Sequence, residues 1–281
     1  MLSRRNFIAA SLAAAATPAP ADPLGQRPGI QLYTVRDAME ADAPGTLARL
    51  AAIGYRTVES FSLGRASPKD FRALLRTHGL TCASCHLGFK NGDNDALFDT
   101  AHALGARYVV SAGLFGAVGA NPASANEAAF HAMAALANRI GAAAKQAGLS
   151  FALHNHNMEF RRFGGATGYD MLLAETDPAL VGFELDCGWA AVAGHDPAAL
   201  LKAHPGRFSL LHIKDFQRPL SPRTAPGGPP GAILGTGFID YRPVFAAAKG
   251  VRHYFVEQEP PYRAFTSLDA ARQDYAYLHS L

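Results

Sequence analysis

The stretch VGFELDCGWAAVAGHDPAALLKAHPGRFSLLHIKD, residues 181–215, holds the unit from which the rest of the chain can be read. Val181–Asp186 and Phe208–Ile213 are short apolar runs of strand length, and Pro197–His204 between them has the pattern of a helix. Strand, helix, strand with no tight turn is a parallel βα unit. The same alternation extends in both directions. Further strands are expected at Gly29–Tyr33, Tyr55–Glu59, Leu80–His86, Tyr108–Ser111, Ser150–Asn155 and His253–Glu257. Amphipathic or alanine-rich stretches lie between them: Ala43–Ile53, Pro68–His78, Asn94–Leu104 and Ala123–Ala147. Gly54, Gly79, Gly105, Gly148 and Gly250 each stand just before a strand, where a glycine stops a helix. Eight such units in about 250 residues is the count and size of a closed (β/α)₈ barrel, with no internal domain boundary. An open doubly wound sheet is the competing arrangement, but no G-x-G-x-x-G follows the first strand.

Upstream of the first unit the chain reads differently. Arg4-Arg5-Asn6-Phe7-Ile8 precedes a short alanine-rich run to Ala16 and a small-residue site at Ala19-Pro20-Ala21. Paired arginines, a weakly apolar stretch too short for a bilayer of roughly 30 Å, and a small-x-small site describe a twin-arginine export signal. Residues 1–21 are therefore expected to be removed, leaving residues 22–281 as the barrel, periplasmic or secreted. Composition fits a soluble globular protein, with 49% hydrophobic residues and a formal net charge of +3. That charge gives no basic excess for nucleic acid, and no second apolar run suits a membrane after signal cleavage. Homo-oligomerisation stays open. The cysteines, Cys82, Cys85 and Cys187, are too few for a disulfide scaffold. Alternation puts Cys82 and Cys85 on opposite faces of one strand, so buried thiols are expected rather than a redox or zinc pair.

Polar residues gather where an active site on this fold is built, at the strand ends. Glu59 ends strand two, His86 strand three, and His154-Asn155-His156 strand five, with Glu159 following. Asp186 ends strand six, His212 with Lys214 and Asp215 strand seven, Glu257 with Glu259 strand eight. A lone histidine or carboxylate there would usually be a capping or surface residue. Several consecutive strands delivering them to one rim point instead to a shared cation site. Mixed oxygen and nitrogen donors without thiolate suit Mn²⁺, Mg²⁺, Co²⁺ or Zn²⁺. One segment breaks the short-loop rhythm: residues 215–237 carry Pro219, Pro222, Pro226, Pro229 and Pro230, which exclude a helix or central strand. It reads as a loop over the mouth, either a lid or a mobile segment.

Five segments together resemble the sugar phosphate isomerase/epimerase family, the xylose-isomerase-like barrels related to endonuclease IV. They are Gly29–Asp37, His154-Asn-His-Asn-Met-Glu-Phe160, Glu184-Leu-Asp-Cys-Gly-Trp189, Leu211-His-Ile-Lys-Asp215 and Val256-Glu-Gln-Glu259. The resemblance implies one divalent ion held by a carboxylate of strand five with Asp186, His212 and Glu257. Strand five departs from the pattern: His154 stands where many relatives carry glutamate, and Glu159 follows five residues later. Glu159 is favoured as the ligand because a hard site gains from a second carboxylate, with His154 the alternative. His154 and His156 share a face, so one could ligate while the other meets substrate. Trp189, where several relatives carry histidine, offers a flat face for a sugar ring or else packs in the core.

The activity implied is proton abstraction beside a carbonyl of a sugar or keto-sugar, with Glu159 and Glu257 as the acid–base pair. Glu59, His86, His154, His156, Trp189 and Lys214 would contact substrate. Epimerisation or isomerisation is the first reading, and elimination from an oxidised sugar through the same enediolate is the alternative. A nuclease related to endonuclease IV is disfavoured by charge and export. A non-catalytic carbohydrate-binding barrel is the remaining rival. Export favours a non-phosphorylated glycoside or oxidised sugar.

Overall fold

The computed structural model describes residues 22–259 and 265–281. The expected export signal, residues 1–21, lies outside them. Eight parallel strands close on themselves: β1 (Gly29–Gln31), β2 (Thr57–Ser60), β3 (Thr81–His86), β4 (Tyr108–Ser111), β5 (Ser150–His154), β6 (Val181–Asp186), β7 (Phe208–Ile213) and β8 (His253–Val256). Each strand pairs with its sequence neighbours and β8 closes on β1, which is the expected single-domain (β/α)₈ barrel.

Helices pack around the barrel because their ends are defined locally and their apolar faces have a sheet to cover. Asp42, Ser67 and Asn126 cap the helices Ala43–Ile53, Pro68–Thr77 and Glu127–Gln146, each side chain accepting a backbone N–H of the first turn. Gly54 ends the first of these at φ 131°, and the ring of Tyr275 lies where a Cβ would be. Either fact alone would exclude other residues there. The helices and the outward faces of the strands form one large core. Strand β1 stops two residues earlier than expected. The Gln31 side chain accepts Tyr33 N–H at 3.1 Å and turns the chain into a 3₁₀ turn, Leu32–Val35.

Inside the barrel, a separate apolar cluster of Val110, Ala152, Leu210 and Phe255 fills the lower part, with Ala83 and Tyr108 against it. Gly29 makes room for it, since a Cβ there would fall 2.5 Å from the Phe255 ring. The three cysteines are buried and free. Burial pushes the Cys82 thiol up to about 12, so it is an inert packing group.

The proline-rich segment is anchored. Asp215–Phe216 pairs antiparallel with Gly231–Ala232. The Asp215 carboxylate accepts N–H groups from Phe216, Gly235, Gly237, Phe238 and Ile239. Further out, Asn157 Nδ2 reaches the carbonyls of Arg223, Ala225 and Gly227 at 2.8–3.1 Å. The loop after β5 thus holds the loop after β7 down over the mouth. Among the described residues no helix is long and apolar enough to cross a membrane.

Candidate metal centre

The segment after Leu153 assigns alternate residues to different tasks. His154 points its Nδ1 at Glu184 Oε2, 3.1 Å away. Asn155 is fully buried and clasps the Asp186 backbone, accepting its N–H at 3.0 Å and donating to its carbonyl at 3.2 Å. His156 lies beside Trp189, ring centroids 5.9 Å apart. Asn157 holds the β7 loop. Glu159 folds back within a 3₁₀ turn, Met158–Phe160, so that its Oε2 accepts His156 N–H at 2.9 Å.

Asp186 caps the short helix Cys187–Val192: its Oδ1 accepts Trp189 N–H at 2.8 Å, which aims Oδ2 towards His212 and Lys214. Ligand atoms of Asp186, His212 and Glu257 all lie within 4.8 Å of one another. His212 Nδ1 is 2.9 Å from Glu257 Oε2 and 3.7 Å from Asp186 Oδ2. Lys214 Nζ ties this group to the rim, 2.8 Å from Asp186, 2.5 Å from Glu257 and 2.9 Å from Glu259. Asp186 Oδ2 has that ion pair but no aligned hydrogen bond, and Glu159 Oε1 is buried with no partner at all. A buried carboxylate oxygen left without a hydrogen is costly unless a cation meets it, so this donor set fits a divalent ion. Glu159 lies outside the compact group of three, and the charge of Asp186 adds to the burial that raises its carboxyl.

A second cluster lies deeper. His86, His154, Glu184 and His212 also bring ligand atoms within 4.8 Å of each other. Glu184 Oε2 is 2.9 Å from His86 Nε2 and 3.2 Å from His212 Nε2. Glu59 adds a second carboxylate, 3.0 Å from His86 and 2.6 Å from His212, and it also accepts from Gln31 Nε2 at 2.8 Å and from Ser84 Oγ. Sequence analysis expects Glu59 and His86 to orient substrate. In the fold Glu59 is 0% exposed and four side chains take up its carboxylate. Glu184, Gln31 and Ser84 were not singled out from the sequence. Glu184 and Ser84 each stand two residues before a strand-end residue that was (Asp186, His86), so period-two alternation could have found them, whereas Gln31 precedes no such residue.

The charges sort themselves by partner. Burial opposes ionisation of Glu59, but His86 and then His212 outweigh it and hold the carboxyl well below the usual range. The same contest leaves Glu257 low, with Lys214 the stronger partner. Burial and then Glu59 push Glu184 up to about 7. Burial also carries Glu159 to about 7, outweighing its backbone hydrogen bonds and the charge of Arg161. His156, buried and then repelled by Lys214, falls to about 4 and is neutral at physiological pH. Trp189 is 6% exposed, with Phe216 at 4.8 Å, the Lys214 ammonium at 5.3 Å and Gly228 of the loop over its six-membered ring. Its Nε1 is buried without a partner.

A closed parallel barrel whose strand ends bring carboxylates and imidazoles together at one mouth defines the class of xylose isomerase-like barrels. The chain belongs to that family: the xylose isomerase-like TIM barrel model matches residues 47–281. It is 25% identical over 228 residues to an inosose dehydratase of Geobacillus kaustophilus (strain HTA426), covering 71% of this chain and 73% of that one. A sugar phosphate isomerase/epimerase from Parabacteroides distasonis ATCC 8503 superposes with a TM-score of 0.77 at 26% identity, over 97% of this chain and 98% of the other. The IolI protein, solved with a zinc atom, shares the fold at 16% identity, with a TM-score of 0.69 over 89% and 96% of the two chains.

Proposed function

We propose that this protein is an exported, metal-dependent enzyme that takes a proton from the carbon beside a carbonyl in a sugar-like ketone. The observation that carries the reading is the meeting of Asp186, His212 and Glu257 within 4.8 Å at the barrel mouth, from three consecutive strands. Those three would hold a divalent ion, with Glu159 as fourth ligand and His154 as the alternative. Bound there, the ion supplies Lewis acidity for a carbonyl oxygen and its neighbouring hydroxyl.

The chain's own residues supply the rest. Glu159 is the acid–base group: buried, with one oxygen unpartnered and a proton affinity near neutrality, it can take a proton and return it. Glu257, held ionised by Lys214 and His212, is the weaker candidate for the second proton and the better anionic ligand. Lys214 orients substrate oxygens, and neutral His156 with the face of Trp189 forms the wall for a ring. The docked 215–237 loop keeps water off that wall. Returning the proton to the opposite face gives an epimer, and to the neighbouring carbon an isomer.

A second outcome has specific support in the inosose dehydratase relative. Loss of a hydroxyl from the carbon next to the deprotonated one turns the same intermediate into a dehydration product. Incubation with divalent ions and a panel of keto-sugars and inososes in deuterium oxide, followed by NMR, separates the outcomes. Deuterium beside the carbonyl with an epimer or ketose supports the first reading, and an unsaturated product supports dehydration. Binding without any exchange refutes an enzymatic role and leaves a carbohydrate-binding barrel. Export has its own test: a reporter fused to residues 1–27 should cross the membrane only with Arg4 and Arg5 intact, and unimpaired export of the Arg4→Lys, Arg5→Lys double variant would refute it.

A further inference from the structure

An imidazole can meet a cation with either nitrogen, and what the other nitrogen does decides which. His212 stands between two sets of partners. Its Nδ1 faces Glu257 at 2.9 Å and Asp186 at 3.7 Å, while its Nε2 faces Glu59 at 2.6 Å and Glu184 at 3.2 Å. His86 stacks on it, rings nearly parallel and 5.4 Å apart, and its Nε2 contacts the same two carboxylates at 3.0 and 2.9 Å. Two Nε2–H groups therefore serve four contacts, and each hydrogen can point at only one oxygen. The shortest contact assigns the His212 hydrogen to Glu59, which leaves the His86 hydrogen for Glu184.

We propose that Glu59 is a positioning residue, which accepts Nε2–H of His212 from beneath and thereby presents Nδ1 of that ring to the cation site formed with Asp186 and Glu257. The inference rests on the metal reading above and deepens it. Glu59 suits the task because it cannot turn away. Gln31 Nε2 and Ser84 Oγ hold its two oxygens, and Gln31 is itself fixed by Tyr33 N–H. Glu184 suits it less, since one of its oxygens has no partner. Full burial separates Glu59 from any substrate at the mouth, so its effect passes through His212.

The test uses the full mature chain labelled with ¹⁵N-histidine and titrated with Zn²⁺. In the wild type, long-range ¹H–¹⁵N correlation should show His212 protonated at Nε2 and coordinated through Nδ1. Glu59→Gln should weaken Zn²⁺ by roughly 10- to 100-fold, the usual cost of losing such a partner. It should also populate the other tautomer. Ser84→Ala, which frees the carboxylate without removing it, should give a smaller fall and covers the case that Glu59→Gln does not fold. Unchanged Zn²⁺ affinity with Nε2–H retained in both variants overturns the inference and leaves the metal reading standing. Two ions per chain, one of them lost in Glu184→Gln, overturns it differently, by making the deeper cluster an ion site. A wild type that takes up no divalent ion overturns both readings.

Discussion

Phe255 and Glu257 stand two residues apart on one face of the last strand, about 7 Å along the chain, and belong to different worlds. So do Leu210 and His212, and Ala152 and His154. The lower member of each pair joins the apolar plug, and the upper joins the polar ring. Alternation gives both members the same inward direction, so the difference is one of depth alone. The plug removes apolar surface from water and props the barrel open to a fixed width. The ring above spends part of that stability on buried carboxylates and imidazoles. Although the two layers share β5, β7 and β8, they are built from different side chains, so damage to one should leave the other largely working.

The largest effect expected from that separation is on the plug. Phe255→Ala opens a cavity between Gly29 and the neighbouring strands and should cost about 3–5 kcal/mol in denaturant unfolding. The folded fraction should still bind Zn²⁺ within a few-fold of wild type. Loss of metal in step with stability would break the comparison and point to the edge-on contact of Phe255 with His212 at 6.3 Å.

In the upper layer the converse is expected. Glu159→Gln keeps the side chain's size and its acceptor for His156 N–H but cannot take a proton. Exchange of the substrate hydrogen with solvent should fall by roughly 10²-fold or more, close to 3 kcal/mol in barrier. Stability should hold or rise, because a buried carboxyl with an unpartnered oxygen is replaced by a neutral group. If His154→Gln removes the metal and Glu159→Gln retains it, the imidazole is the ligand and the acid–base work falls to Glu257. A single base then favours isomerisation or elimination over epimerisation.

The sequence made the barrel legible because β/α alternation is a local pattern: Gly54 and Gly105 stand at the C-caps of their helices, and three clear apolar runs, Tyr108–Ser111, Val181–Asp186 and Phe208–Ile213, mark their strands to the residue. The ring was legible in part, since Asp186, His212 and Glu257 stand at strand ends where convergence is dictated by closure. Depth was not. Whether Glu59 reaches the mouth or is sealed under it depends on the bulge between Val58 and Glu59, which sets Glu59 beside Ser84 in the neighbouring strand. A register shift of that kind leaves no mark on residue type. Nor does proline content distinguish a free lid from a docked one, because the anchor, Asn157, lies some seventy residues away in sequence.

That anchor yields a smaller effect, expected to be local. Asn157→Ala removes the amide that serves the carbonyls of Arg223, Ala225 and Gly227, at a net cost of about 1–2 kcal/mol. The loss should appear as faster proteolysis within residues 217–230 and as weaker substrate binding, with global unfolding nearly unchanged. Equal protease resistance in variant and wild type would show that Asp215 and the Gly231–Ala232 pairing suffice to hold the loop.

The last test, read as a slope against pH, sharpens the comparison by asking what a buried carboxylate does when no cation accompanies it. Glu59 and Glu257 have histidine or lysine partners and stay ionised. Asp274, on the helix Ser267–Leu278, is equally buried but has only neutral donors, Leu234 N–H at 2.8 Å and Gln258 Nε2 at 2.7 Å. Burial outweighs those two hydrogen bonds and carries its carboxyl up to about 7. Between about pH 4, where an unfolded aspartate ionises, and pH 7, the folded chain therefore keeps a proton that the unfolded chain has released. A native state that binds more protons loses stability as pH rises, by at most about 1.4 kcal/mol per pH unit for one group. Asp274→Asn removes the titration while keeping an oxygen for Leu234 N–H, so the curve of unfolding free energy against pH should flatten between pH 4 and 7 relative to wild type. Identical slopes for the two proteins would mean that Asp274 is ionised in the fold and that cation partners are not what divides the buried carboxylates of this barrel.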